Sequence, residues 1–278
     1  MRQRRIAATI GLYAVYVVLL VVFLFPLYWV FATSLKTIPE LFHSPPVLWP
    51  KVPQGQNYNH VLVYTPVVTY LKNSAILVFF TVVGTLVVSI PAAFGFSRFR
   101  MRFSRQAMLG VLMCQMISPL VIVIPLYNYL NRVHLLNSYF AVILVYIAIQ
   151  VPPTVWFLKG FLDTIPVSME EAAWLDGCNR LQSLVRIILP VSVPAIASAT
   201  VLIVIESWSQ FIVPFILLNS DRLYPVSVGL INLQSTSDVI STHYLAAASI
   251  LAVLPVVVIF VVLQKFIVSA LTAGSVKG

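Results

Sequence analysis

The chain has 278 residues, of which 60% are hydrophobic and only 9% charged, and its mean hydropathy is +0.98. A soluble domain carries about a quarter charged residues, and the core of one soluble domain cannot hide this many apolar side chains, so a lipid solvent is implied. The net charge of +9 would suit nucleic-acid binding if it formed a patch, but its distribution follows membrane orientation instead.

A membrane span needs about 20 mostly apolar residues to cross a hydrocarbon core of about 30 Å. Runs of that length predict an all-α integral membrane protein, a single domain over 1–278, with six transmembrane helices near 6–31, 73–97, 106–131, 135–158, 191–218 and 244–264. The start, Met1-Arg-Gln-Arg-Arg5, resembles a signal peptide, but its apolar stretch is too long and no small-residue cleavage site follows. It reads as a retained first helix. Long polar loops follow the first, fourth and fifth spans. Pro26, Pro91, Pro119, Pro125, Pro152, Pro153, Pro214 and Pro255 fall within or at the ends of spans, where each removes a backbone donor and bends the helix. Bent helices that enclose a cavity suit a transporter. Cys114 and Cys178 fit no disulfide framework or metal-ligand pattern.

An even number of spans places both termini on one side. If that side is the cytosol, it holds Arg2, Arg4, Arg5, Arg98, Arg100, Arg102, Arg105, Lys159, Arg180, Arg186, Lys265 and Lys277. The other side holds Lys36, Lys51, Lys72, Arg132 and Arg222. Basic residues concentrate on the cytosolic side of membrane proteins, so both termini and the loops around Arg102 and Glu171 are expected to face the cytosol.

The stretch Ile165 to Pro194 predicts two short helices in a cytosolic loop. Pro166 and Ser168 are helix-start residues, and Glu170 and Glu171 sit in a first turn, where the dipole favours negative charge. Gly177 ends that helix, because glycine enters the left-handed cap without strain. Leu181, Leu184, Val185 and Ile188 then recur at the spacing of one helical face, with Gln182, Ser183 and Arg186 opposite. From these residues alone, a helix lying passively on the lipid surface is the competing reading.

Glu171-Ala-Ala173, then Gly177, then Ile187-x-Leu189-Pro190 resembles the EAA loop of binding-protein-dependent ABC importer permeases, and Asp176 agrees with it. The resemblance covers nearly the whole chain and points to the carbohydrate, maltose-type group. Ser34-Leu-Lys36, Asn57-Tyr58, Asn73-Ser74, Ala92-Ala93-Phe94 with Ser97-Arg98, Pro125-Leu-Tyr127, Leu135-Leu-Asn137 and the tail from Leu271 are similar to that group as well. It implies a coupling loop over 163–190 in which Glu170, Glu171, Ala172, Ala173, Asp176 and Gly177 dock on a cytosolic ATPase subunit. It also implies a second homologous permease, two ATP-binding subunits and an extracytoplasmic solute-binding protein as partners, in the bacterial inner membrane. No cofactor is expected in this chain: ATP and Mg belong to the partner subunits, since the sequence has no Gly-rich phosphate loop ending in Gly-Lys-Ser/Thr. Cys178 stands where alanine is usual and Ala270 where glycine is usual. Trp208-Ser-Gln-Phe211 departs from a common Trp-Asn-acid pattern.

Glu206 is the one charged residue well inside a span. With Trp208, Ser209 and Gln210 it forms a polar stripe that is expected to face a translocation path, the alternative being that Glu206 hydrogen-bonds to a neighbouring helix or to the second permease. A secondary transporter or channel is the first rival function, but no internal repeat is visible and one carboxylate is few for ion coupling. An intramembrane enzyme is the second, but the spans hold no Ser/His pair, paired aspartates or metal cluster, and His43, His60, His134 and His243 fall in or beside outer loops. No catalytic or metal-binding residue is predicted. A sugar or sugar-like solute is the expected cargo, with glycerol-phosphate compounds as the alternative.

Overall fold

A computed structural model describes residues 2–99, 104–116, 118–236 and 242–275. Arg100, Arg102, Lys277 and the end of the tail lie outside the described residues. Every regular element among them is helical. Lipid offers no partner for backbone N–H and C=O groups, and a helix satisfies its own.

In chain order the helices are α1 (Arg2–Ser34), α2 (Ile38–Leu41), α3 (Gln56–Tyr64), α4 (Val67–Arg98), α5 (Ser104–Cys114), α6 (Pro119–Arg132), α7 (Tyr139–Leu162) and α8 (Ser168–Leu175). Next come α9 (Arg180–Ser183), a π-helical turn (Leu184–Ile188), α10 (Leu189–Val191), α11 (Val193–Ser209), α12 (Ile212–Leu217), α13 (Val226–Thr236) and α14 (Thr242–Ser275). Prolines 26, 91, 125, 152, 153 and 255 do lie inside helices.

Among the described residues four helices, α1, α4, α7 and α14, are long and apolar enough to cross a membrane. A fifth candidate is α11 joined to the segment Arg180–Val191, with a 77° bend between them. Two of the expected spans differ from a single helix. The run 106–131 is divided between α5 and α6, because Pro119 has no N–H to continue a ladder and Ser118, in extended backbone, opens a new helix with proline in its first turn. The run 191–218 breaks at Gln210, which is extended between α11 and α12. The Gln210 carbonyl freed there accepts hydrogen bonds from the Ser227 hydroxyl at 2.8 Å and the Tyr146 hydroxyl at 3.5 Å.

The described chain forms two compact units. The first comprises Met1–Val68 and Leu230–Leu254. Within it the apolar stretch of α1 is exposed, with Phe23 at 74%, as a face that meets lipid can be. The end of α1 is tied to α3: the Asn57 side-chain amide donates to the carbonyls of Ser34 (2.8 Å) and Lys36 (3.2 Å), and the Ser34 and Tyr58 hydroxyls share a bond of 2.7 Å. Lys36 is buried with its ammonium 4.2 Å from the Trp29 ring centre, a cation–π contact. The His60 and His243 rings both lie against Tyr244.

The second unit comprises Thr69–Gly229 and Pro255–Gly278. Helix α7 carries its two apolar clusters. One gathers Phe94, Met108, Val155, Leu158, Ile188 and Ala199; the other gathers Leu77, Leu130, Val142, Tyr146, Val213 and Leu217. Helix α4 comes close to α7 at Gly84, where a Cβ would collide with the Ile147 side chain. Asn73 donates to the carbonyls of Arg222 and Tyr224, both at 2.9 Å, and Ser74 accepts from the N–H of Val226 at 2.8 Å. These bonds hold the start of α4 to the segment before α13.

Candidate functional site

Helix α8 presents one surface and buries the other. Its first turn contains Glu170 and Glu171, adjacent residues that must point in different directions on a helix. Glu171, Ala172, Trp174 and Leu175 are exposed, Leu175 at 90%. Ala173 and Glu170 are buried. The helix ends as the sequence predicts. Gly177 has φ +86°, its N–H donates to the Trp174 carbonyl at 3.1 Å, and the Cys178 N–H donates to the Ala173 carbonyl at 2.9 Å. That pair of bonds is the Schellman cap. Space around the Gly177 Cα is open, so only the backbone conformation demands glycine there. Asp176 and Gly177 are exposed beside it, and Cys178 is a free thiol.

Glu170 does not join the exposed acidic face. Its carboxylate accepts from the Arg98 Nε at the end of α4, and the two side chains are 1% and 7% exposed. The Arg98 guanidinium also donates to the Ile165 carbonyl and the Ser97 hydroxyl, each at 3.0 Å. Ser97 in turn donates to Asp163 at 2.7 Å, and Asp163 pairs with Lys159 of α7. Leaving either member of such a buried pair alone costs about 3–5 kcal/mol. The sequence shows Arg98 as part of a basic loop and of the Ser97-Arg98 motif, but gives no sign that Glu170 is its partner.

The segment after α8 differs in part from its expected face. Asn179 and Gln182 form a reciprocal cap at 2.8 Å in each direction. Leu184 and Ile188 are buried, but Leu181 and Val185 are exposed and Ser183 is buried. The π-turn at Leu184–Ile188 is the physical reason: its wider winding breaks the 3.6-residue period on which the predicted face rests.

A cavity of about 670 Å³ lies in the second unit, walled by residues of α6, α7, α11 and α12 together with Gln115. Such volumes, mostly apolar with a few convergent polar groups, are characteristic of small-molecule sites. Glu206 and Gln210 of the predicted stripe line it, together with Gln115 and Gln150. Trp208 is half-buried and Ser209 exposed, and neither is among the lining residues. The Ser209 hydroxyl bonds back to the carbonyls of Ile205 (2.8 Å) and Glu206 (3.3 Å). The stripe is therefore divided: the break at Gln210 removes it from helical register with Glu206 while keeping it on the cavity. Gln150 was missed by sequence reasoning; a lone carboxamide beside Pro152 and Pro153 in an apolar run was its available signal. The described lining carries one carboxylate and no basic side chain.

Comparisons with known proteins identify the family and the fold. The family model for the binding-protein-dependent transport system inner membrane component matches residues 85–273. The chain is 31% identical over 262 residues to the sulfoquinovosyl glycerol transport system permease SmoH of Agrobacterium fabrum, covering 94% of this chain and 91% of that one. It is 31% identical over 262 residues to the diacetylchitobiose uptake permease DasC of Streptomyces coelicolor, covering 94% and 95%. It is 30% identical over 266 residues to the trehalose/maltose transport permease MalG of Thermococcus litoralis, covering 94% of each. The fold is shared with a chain in the crystal structure of a bacterial ABC transporter involved in import of the acidic polysaccharide alginate, with TM-score 0.83 at 22% identity over 96% of this chain and 98% of that one. The chain belongs to the family of binding-protein-dependent transport system inner membrane components, the permeases of ABC importers.

Proposed function

We propose that this chain forms half of the translocation path for a sugar or sugar-like solute and crosses the inner membrane six times. The crossings are α1, α4, α5 with α6, α7, α11 with α12, and α14, with both termini and the loop 163–190 in the cytosol. A second homologous permease supplies the other half. An extracytoplasmic binding protein delivers the solute, and two ATP-binding subunits, which hold ATP and Mg, drive the cycle.

The cavity is the observation that carries the solute reading. Glu206, Gln210 and Gln150 offer acceptors and amide donors to hydroxyl groups, between apolar walls that suit the C–H faces of a sugar ring. Among the described residues the lining offers no cationic side chain to pair with a phosphate, so a neutral glycoside is preferred here over a glycerol-phosphate compound. A panel of maltose, diacetylchitobiose and glycerol 3-phosphate added to the cognate binding protein separates these classes. The true ligand at a hundred times its Kd stabilises that protein by about 2.7 kcal/mol. Stabilisation by glycerol 3-phosphate alone overturns the preference.

The coupling reading rests on the exposed edge of α8. Glu171 pairs with a basic residue of the ATPase subunit, while Ala172 and the Gly177 turn allow close approach and Trp174 and Leu175 supply apolar contact. Glu171→Lys puts like charges together, and Gly177→Asp forces a side chain into the left-handed region at a cost of about 1–2 kcal/mol. Purified assemblies of both variants are expected to lose binding-protein-stimulated ATPase activity or release their ATPase subunits. Normal assembly with normal stimulated turnover in both overturns the assignment.

A further inference from the structure

We propose that the buried Arg98–Glu170 pair is a positioning strut that carries movement of the loop helix α8 into α4 and on to the cavity wall. This rests on the reading that α8 docks on an ATPase subunit, and it assigns Glu170 a separate role from its neighbour Glu171. One acid faces outward to the partner; the other is enclosed and held by Arg98.

Simple adhesion does not call for a charged pair at this place. Phe94, Leu162 and Ile165 already form an apolar cluster there, and well-packed apolar residues replace many buried ion pairs without loss of stability. An apolar contact is non-directional and lets surfaces slide. The guanidinium instead fixes both distance and direction, because it bonds at once to Glu170, the Ile165 carbonyl and Ser97. Ser97 extends the same network to Asp163 and thence to Lys159 of α7. A second grip lies beside it: the Arg180 guanidinium stands 4.9 Å from the Phe99 ring centre and 5.2 Å from that of Trp174.

The route from the strut to the cavity is continuous. Arg98 is the last residue of α4, whose Ala93 and Phe94 pack with α7 in the apolar cluster and whose Gly84 lies against Ile147 of α7. Residues of α7 from Val145 to Phe157 line the cavity. A displacement of α8 that cannot slip at Arg98 must therefore move the end of α4 together with the end of α7, a helix that walls the cavity.

The test uses the complete importer, with Cys114 and Cys178 replaced by serine and Leu202→Cys as a reporter on the cavity wall. Reaction of that cysteine with a water-soluble methanethiosulfonate is timed with and without ATP plus vanadate. Its rate is expected to change at least about fivefold in the otherwise native assembly. With Arg98→Met and Glu170→Met together, the ATPase subunits should remain bound while the change shrinks to within about twofold; Arg98→Lys, which keeps the charge but loses the fork, should fall between. An undiminished change in the double variant overturns the strut. So does loss of ATPase subunits from both the double variant and Arg98→Lys, which makes the pair a folding element only. A cysteine that does not respond in the otherwise native assembly overturns it as well, since no movement would reach the wall. Glu171→Lys, run alongside, separates the two readings. If it abolishes the response while the double variant does not, docking stands and the strut falls; if it has no effect, docking through Glu171 fails.

Discussion

Glu40 accepts hydrogen bonds from the backbone N–H groups of Thr37 at 3.0 Å and Lys51 at 2.9 Å, joining α2 to the loop that follows it. Those donors hold its carboxyl below the ordinary glutamate value of 4.5, the Thr37 bond contributing most. A carboxylate whose folded pKa is depressed stabilises the loop above its unfolded value, and the contribution is lost as pH falls through the folded one. The Glu40 side-chain carbon signal should therefore titrate below 4.5, and Lys51 amide exchange, corrected for its intrinsic pH dependence, should quicken there. Glu40→Gln should remove that acid step; a midpoint at or above the ordinary value contradicts the account. The same scale shows what the sequence held without explanation. Ser34-Leu-Lys36 and Asn57-Tyr58 look like separate motifs, yet they bond to each other. Asn137 has φ 56°, and its side chain accepts the N–H groups of Asn219 (3.0 Å) and Ser220 (3.2 Å). Partners 82 residues apart leave no local pattern, so motif membership was legible and motif pairing was not.

At the scale of elements, long apolar runs were read correctly as helices because hydropathy reports the lipid environment directly. Breaks within them were less legible. Pro119 starts a helix while Pro91, Pro125 and Pro255 sit inside one, and the difference depends on what packs against the freed backbone. Loop 163–190 was legible at Gly177, where the backbone conformation dictates the residue, and not at Glu170, whose partner lies in another helix. The break at Gln210 places Glu206 near the end of α11 and Gln210 on the same cavity beyond it, and the proposed path makes both residues testable. Glu206→Ala, Gln210→Ala and Gln150→Leu should assemble normally and import more slowly. Loss of one hydrogen bond to a sugar hydroxyl corresponds to about 0.5–1.5 kcal/mol, or roughly 2–13-fold. Measuring complex yield beside uptake decides the matter: lost assembly makes Glu206 a structural residue, and unchanged uptake in all three variants removes the cavity from the path.

For the whole molecule, the proposed six-span topology divides the basic residues unequally between its two sides. Twelve of the seventeen basic residues fall on the side that holds the termini and loop 163–190, and five on the other. Of the five, Lys36 is buried against Trp29 and thereby accommodated in a structural contact. Arg98, on the side of the twelve, is likewise enclosed by Glu170. Setting these two aside leaves the bias in place, so orientation does not depend on structural cations. On the proposed topology, helix α8 presents Glu171, Trp174 and Leu175 to the cytosol, while Gln54 and the end of α13 at Thr236 face the compartment of the binding protein. Single cysteines in a background free of Cys114 and Cys178 test this arrangement. Replacements at Gln54 and Thr236 should react with an impermeant thiol reagent in intact cells whose outer layers admit it. Replacements at Leu175 and Ser275 should react only after the membrane is opened. Leu175 is the sharper probe of the second pair, because its side chain is 90% exposed in the isolated chain and shielding by the membrane or the ATPase subunit is then the cause of any protection. Binding of the ATPase subunit should slow its labelling further in opened membranes, whereas labelling of Leu175 in intact cells would invert the topology and place the coupling surface where no ATP is available.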